Sequence, residues 1–229
     1  MERYNRITNK NCREIVLLKA RPCAWGKCRF CDYIEDNSRD TGEMLRLNRE
    51  ILSRVTGEFG VLEVINSGSC FELPKETLDE IRRVIRAKKI RRLFFEAHWM
   101  YRRHLQEMRD YMEIPITFKI GVETFDHDFR ENYLNKHADF QSAAEVRRWF
   151  ESPCLMVGIK GQTREMIDND IRLLKEYFPL GTVNVFTDNS TDVTRDQELV
   201  DWFMDKYAWL LDDPAVEVLY KRTDFGVGD

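Results

Sequence analysis

The chain has 229 residues, 43% of them apolar and 33% charged, with a formal net charge of −4 and a pI near 5.7. That length supports one substantial domain with a core, and the acidic balance argues against a protein whose main work is gripping nucleic-acid phosphates. No apolar run approaches the roughly 18 residues of a membrane span, and the opening segment lacks the apolar stretch of a secretory signal. The expectation is a cytoplasmic protein acting on a small molecule, away from membranes and nucleic acid. Its six cysteines would be kept reduced, as ligands, catalytic groups or packing.

Strand-like and helix-like stretches alternate along the chain. Residues 14–20 are rich in β-formers and stop at a Pro-containing loop. Residues 41–56 space Met44, Leu45, Leu47, Ile51, Leu52 and Val55 as a helix does. Val61–Ile65 reads as a short strand, and residues 74–88 as a helix opening on Pro. Strands follow over Arg92–Glu96, 116–122, 153–159 and 182–187, and helices over 101–112, 142–150, Arg164–Tyr177 and 195–211. Residues 215–220 add one more short strand.

Strands separated by helices predict a parallel sheet. Right-handed crossovers would close it into a partial (β/α)6 TIM-like barrel, since a full eight-unit barrel takes about 250 residues. The expected organisation is a single α/β domain over 1–229, with its barrel core over about 14–190 and a C-terminal helix and tail over 191–229. The Gly-rich, acidic tail from residue 223 onward reads as a frayed end. In such barrels the chemistry gathers just after each strand.

After the first predicted strand, Cys23, Cys28 and Cys31 stand in C-x4-C-x2-C spacing. Three thiolates in nine residues can converge on one metal centre. A [4Fe–4S] cluster usually takes four cysteines, so three leave one iron open to an external ligand. Zinc is the competing reading. It wants four ligands in a structural site, and no second short Cys or His pair follows. Cys12, Cys70 and Cys154 stand singly and read as packing residues or bystanders.

With Phe30 directly before its last cysteine, this loop resembles the cluster loop of the radical S-adenosylmethionine (SAM) superfamily. The common spacing there is C-x3-C-x2-C. Longer first gaps occur in branches resembling the elongator catalytic subunit and the archaeosine-synthase radical enzyme. The resemblance extends to later strand ends. Asn66, Ser67, Gly68 and Ser69 match a small turn that binds the SAM amino group through its backbone. Gly121, Glu123 and Thr124, followed by Asn135 and Lys136, resemble an "IGxET … NK" signature whose Glu binds SAM. Gly158 to Gly161 resembles a segment packed near adenine.

By the same resemblance, Phe30, Tyr33, Asn184 and Phe186 join the cofactor contacts. Glu96 takes the place of a carboxylate near substrate or SAM, and His98 is a catalytic candidate by its strand-end position. The basic stretch 82–103 reads as a solvated helix face and its flanks.

The implied chemistry is reductive cleavage of SAM at a [4Fe–4S] cluster, giving a 5′-deoxyadenosyl radical that takes a hydrogen atom from substrate. A reducing partner such as flavodoxin or ferredoxin is implied, and an open side of a small incomplete barrel fits a homodimer. Size, acidity and motif versions resemble a small bacterial group, the queuine lyases, which release the 7-deazaguanine precursor preQ1 from queuine. A 7-deazaguanine presents N1–H and 2-amino donors. Glu96, Asp188, Asp224 or Asp229 are the carboxylates expected to accept them. Two alternatives stay open: a radical enzyme for another small molecule or for tRNA, and a non-enzymatic zinc-binding module.

Overall fold

The computed structural model describes every residue except Arg222, Thr223, Phe225 and Asp229. Its strands follow one another in the sheet in the order β1-β2-β3-β4-β5-β6-β7-β8. The chain divides into two compact units. The first is Met1–Gly26, Tyr33–Phe118 and Phe225–Asp229; the second is Lys27–Asp32 and Lys119–Asp224.

The first unit holds β1 (Tyr4–Ile7), β2 (Arg13–Leu17), β3 (Val61–Ile65) and β4 (Arg92–Glu96). β2, β3 and β4 are parallel as expected, while β1 adds an antiparallel edge to β2. β1 left no trace in the sequence because YNRI has no apolar alternation. Every residue of β2 is buried, including Arg13 and Glu14. Glu14 is satisfied by the Tyr4 hydroxyl at 2.8 Å and by the N–H groups of Thr56 and Gly57, each at 2.7 Å.

Helix α1 (Thr41–Ser53) starts where Asp40 accepts the Glu43 N–H, and α2 (Lys75–Lys88) starts after Pro74 and ends at left-handed Lys89. Buried Asn48 pins α1 to the backbone of Lys19 and to Thr77 on α2. The expected 101–112 helix begins as a tighter turn, Trp99–His104, and is regular only over α3 (Leu105–Met112).

β5 (Ile116–Glu123) runs from the first unit into the second, where β6 (Ser152–Val157), β7 (Gly181–Val185) and β8 (Val216–Leu219) continue in parallel. Helices α4 (Ala143–Arg147), α5 (Arg164–Tyr177) and α6 (Gln197–Lys206) are capped by Ser142, Thr163 and Asp196. The expected 195–211 helix breaks at Tyr207, whose hydroxyl donates to Asp168 at 2.6 Å, and resumes as a short turn, Ala208–Leu211. A wide turn at Phe129–Tyr133 was also unforeseen. It carries the fully buried Arg130, which donates to the carbonyls of Thr124, Ala138 and Phe140 at 2.9–3.1 Å.

The frayed end expected from residue 223 onward does not hold for residues 226–228. Val227 is buried beside Ile15, Leu17 and Ile65. Gly228 donates its N–H to the Glu2 carbonyl, and Asn5 donates to the Gly226 carbonyl, both at 2.8 Å. The two glycines take φ of +82° and +101°, which lets the chain turn in on both sides of one apolar side chain.

Asp170 on α5 is fully buried, and burial pushes its carboxyl up to about 7. One oxygen accepts the Phe125 N–H at 2.7 Å. Because the folded value lies above the ordinary 3.8, the folded chain holds a proton that the unfolded chain has lost between pH 4 and 7, so stability falls as pH rises through that window. The wild type is expected to lose up to ~4 kcal/mol from this group between pH 4 and 8. In urea unfolding the Asp170→Asn variant should show a flatter pH dependence by a comparable amount.

Candidate active site

Cys23 lies in the first unit, where Glu72 organises its surroundings. Residues 66–69 follow β3 and lead into a short turn, Cys70–Glu72. The Glu72 carboxylate accepts the Ala24 N–H at 3.3 Å, the Tyr101 hydroxyl at 3.0 Å, and the Ser69 N–H. Burial pushes this carboxyl above the usual range, against those hydrogen bonds. A Cβ on Gly68 would stand 2.9 Å from Glu72 Oε2 and 3.1 Å from Cys23 Cβ, so only glycine fits between them.

The turn is held from within. Asn66 Nδ2 donates to the Ser69 carbonyl at 3.1 Å, and Ser69 Oγ accepts the His98 N–H at 2.9 Å. Among the described residues Ser67 Oγ is buried and has no hydrogen-bond partner. His98 Nδ1 accepts the Met100 N–H at 3.3 Å. A neutral His98 ring therefore carries its proton on Nε2. Glu96 is half-buried at the end of β4, and Tyr33 is largely exposed. Cys70 is buried, and burial raises its thiol, so it stays protonated.

Cys28 and Cys31 lie in the second unit, packed against a buried cluster that includes Phe30, Phe129, Leu134, Met156 and Phe186. Their loop is tied to the segment after β5. The Arg29 N–H donates to the Leu134 carbonyl at 3.0 Å, and Asn135 donates to the Lys27 carbonyl at 2.8 Å. Asn189 donates to the Phe30 carbonyl at 2.7 Å.

In the same unit Lys136 meets Glu123 in a buried ion pair at 2.6 Å, with its ammonium 5.5 Å from the centre of the Phe30 ring. Burial works against the lysine charge. The Glu123 carboxylate, with Cys28 and Cys31 beside it, nonetheless holds the ammonium well above the usual lysine range. The backbone is strained on both sides of the pair: Glu123, Asn135 and His137 take φ of 63°, 53° and 55°. A bulge between Gly121 and Glu123 turns the carboxylate toward Lys136, and a Cβ on Gly121 would collide with both charged groups.

Other expected residues have structural duties. Gly158 has φ +84°, and a Cβ there would collide with Val200 of α6, so packing alone accounts for the glycine. Asn184 is half-buried on β7 and Phe186 is buried after it. Asp188 accepts the Arg195 N–H at 2.7 Å, and Asp224 accepts those of Tyr220 and Lys221 at 2.9 and 2.8 Å. Asp229 lies outside the described residues.

None of the six cysteines is in a disulfide. Among the described residues no set of three or more His, Cys, Asp or Glu side chains is gathered as a metal site. The donor set still fits an iron–sulfur cluster. Cys23, Cys28 and Cys31 are half-buried thiols on one short loop, and a buried cation stands beside two of them.

Neither a protein-family model nor a curated protein matches the chain. Among solved structures, a queuine lyase from Clostridium spiroforme bound to SAM and queuine is 52% identical, with all of both chains covered and a TM-score of 0.98. The chain belongs to the queuine lyase family. With that family it shares the expected fold class, an α/β partial TIM-like barrel of the radical SAM type. Streptococcus suis SuiB bound to SAM is similar in fold alone, at 13% identity over 90% of this chain and 46% of that one, with a TM-score of 0.50. The radical SAM methyltransferase TsrM from Kitasatospora setae, at 10% identity and a TM-score of 0.48, is too slight a likeness to weigh.

Within the queuine lyase family's fold, Lys136→Met would strand the Glu123 carboxylate in a buried place. A cost of about 3–5 kcal/mol is expected in urea unfolding. The double variant Glu123→Gln/Lys136→Met should recover a large part of that loss.

Proposed function

We propose that this chain is a queuine lyase, a radical SAM enzyme that cleaves queuine and releases preQ1. The observation that carries this reading is the 52% identity, across the whole of both chains, to an enzyme bound to SAM and queuine. Cys23, Cys28 and Cys31 would hold a [4Fe–4S] cluster, and the three-cysteine count leaves one iron for SAM. When bound, cluster and SAM together supply a one-electron cleavage that yields a 5′-deoxyadenosyl radical.

The chain's own residues bind, orient and keep the site dry, as protein does around a cofactor that carries the hard chemistry. Residues 66–69 offer a backbone turn with an orphaned hydroxyl at Ser67. Glu123 and Lys136 offer paired charges whose geometry is fixed before any ligand arrives. The apolar cluster around Phe30, Met156 and Phe186 packs against Cys28 and Cys31.

For the 7-deazaguanine edge, Glu96, Asp188, Asp224 and Asp229 are the carboxylates proposed as acceptors; Asp188 and Asp224 also cap backbone N–H groups. Glu96 ends β4 and His98 follows it, in the same unit as the turn at 66–69. The reaction calls for a one-electron donor, and a flavodoxin or ferredoxin is the class that fits. A reducing cytoplasm is the compartment that suits such a cluster. Among the described residues no helix is long and apolar enough to cross a membrane. A homodimer is the assembly proposed, to be checked by light scattering.

Anaerobic reconstitution should give a brown protein with about four irons. With SAM, reductant and queuine it should form 5′-deoxyadenosine and preQ1, read by mass spectrometry. A colourless protein carrying one zinc, or no preQ1, would overturn the reading. Replacing any one of Cys23, Cys28 and Cys31 by Ala should abolish turnover.

Among Ala variants of Glu96, Asp188, Asp224 and Asp229, at least one should weaken queuine binding. A loss of about tenfold or more is expected for a charge-assisted pair. Unchanged queuine affinity in all four would remove these residues from the substrate site.

A further inference from the structure

Glu72 is a buried carboxylate just beyond the turn at 66–69. It sits where two functional segments of the first unit meet. One oxygen accepts the N–H of Ala24, directly after Cys23, and the hydroxyl of Tyr101. The other accepts the N–H of Ser69, directly after Gly68. The Glu72 backbone adds a third tie, since its carbonyl accepts the Arg21 N–H at 3.2 Å. Tyr101 is itself fixed, with its ring stacked on Phe71 at 4.7 Å. Gly68 has no room for a side chain because Glu72 and Cys23 close on it from two sides. One buried acidic group thus sets the distance from the first cysteine to the glycine turn. Burying it is costly without such a set of donors.

We propose that Glu72, held by Tyr101, is a positioning residue that locks the backbone after Cys23 to the turn at residues 67–69, and so fixes where SAM is held relative to the cluster. The inference rests on the radical SAM reading above and deepens it. Neither residue touches a reacting atom in this account. Ala24 has no polar side chain to place its own N–H, and Glu72 ties that N–H to the N–H of Ser69. The Gln variant keeps one acceptor oxygen but turns an amide N–H₂ toward an N–H donor, so one tie must break. Phe at 101 removes a single hydroxyl and leaves the stack on Phe71.

The test uses the full chain, anaerobically reconstituted, in three forms: wild type, Glu72→Gln and Tyr101→Phe. Iron content, the EPR spectrum of the reduced cluster with and without SAM, and the Kd values for SAM and queuine are measured. Glu72→Gln should keep its irons, lose about tenfold in SAM affinity, and show a SAM-bound EPR spectrum different from wild type. Its queuine affinity at saturating SAM should change less than about twofold. Tyr101→Phe should move SAM affinity and spectrum in the same direction by a smaller factor. If Glu72→Gln fails to fold or to load iron, Tyr101→Phe decides alone.

Wild-type SAM affinity and an unaltered SAM-bound spectrum in Tyr101→Phe, and in any folded Glu72→Gln, would overturn the proposal. Equal losses for SAM and queuine would also overturn it, since they mark general loosening. A wild type that loads no iron, or whose spectrum ignores SAM, would overturn the radical SAM reading instead.

Discussion

A lysine and a glutamate buried together at 2.6 Å constrain the chain on both sides of them. Two charges removed from water cost several kcal/mol each, and their attraction offsets this only with good geometry. The chain supplies the geometry by accepting strain. Glu123, Asn135 and His137 all take left-handed backbone, a conformation that favours glycine. Gly121 gives up its side chain because both charged groups close over it. Such a concentration of unfavourable local terms persists only where the surrounding structure over-determines it. The surrounding fold meets the cost with fully satisfied groups such as Arg130, which binds three carbonyls at once.

The first unit solves a similar problem with one charge in place of two. Among the described residues Glu72 is in no ion pair. It is satisfied by two backbone N–H groups and a phenol. The two devices differ in what they fix. The ion pair orients side chains over a loop, whereas Glu72 orients backbone on both sides of itself. Backbone donors and dipoles set in place beforehand need no reorganisation when a charged ligand arrives.

Much of this was legible in the sequence where the physics is local. Val61–Ile65, Arg92–Glu96 and Arg164–Tyr177 were readable to the residue, because apolar periodicity and caps mark them. The cysteine spacing and the turn at 66–69 stood out because reactive or small residues clustered behind a strand. What stayed hidden depends on distant partners. β1 has no pattern of its own and exists because β2 offers an edge. Glu72 carries no signal of its own in the sequence. Its role comes from Ala24 and Tyr101, 48 and 29 residues away. Gly158 matched a cofactor motif, yet its glycine is already required by Val200. Asp188 and Asp224 looked like ligand groups, and their backbone partners explain why acids stand there.

The tail carries a consequence for how the protein is made. Residues 226–228 belong to the first unit, where Val227 seals Ile15, Leu17 and Ile65. They leave the ribosome only after the whole of the second unit has been synthesised. Domains generally fold as they emerge, N-terminal part first. Here the first unit waits with an apolar face uncovered until residues 226–228 arrive. A nascent chain stalled before Val227 is therefore a natural client for a chaperone that binds exposed aliphatic surface.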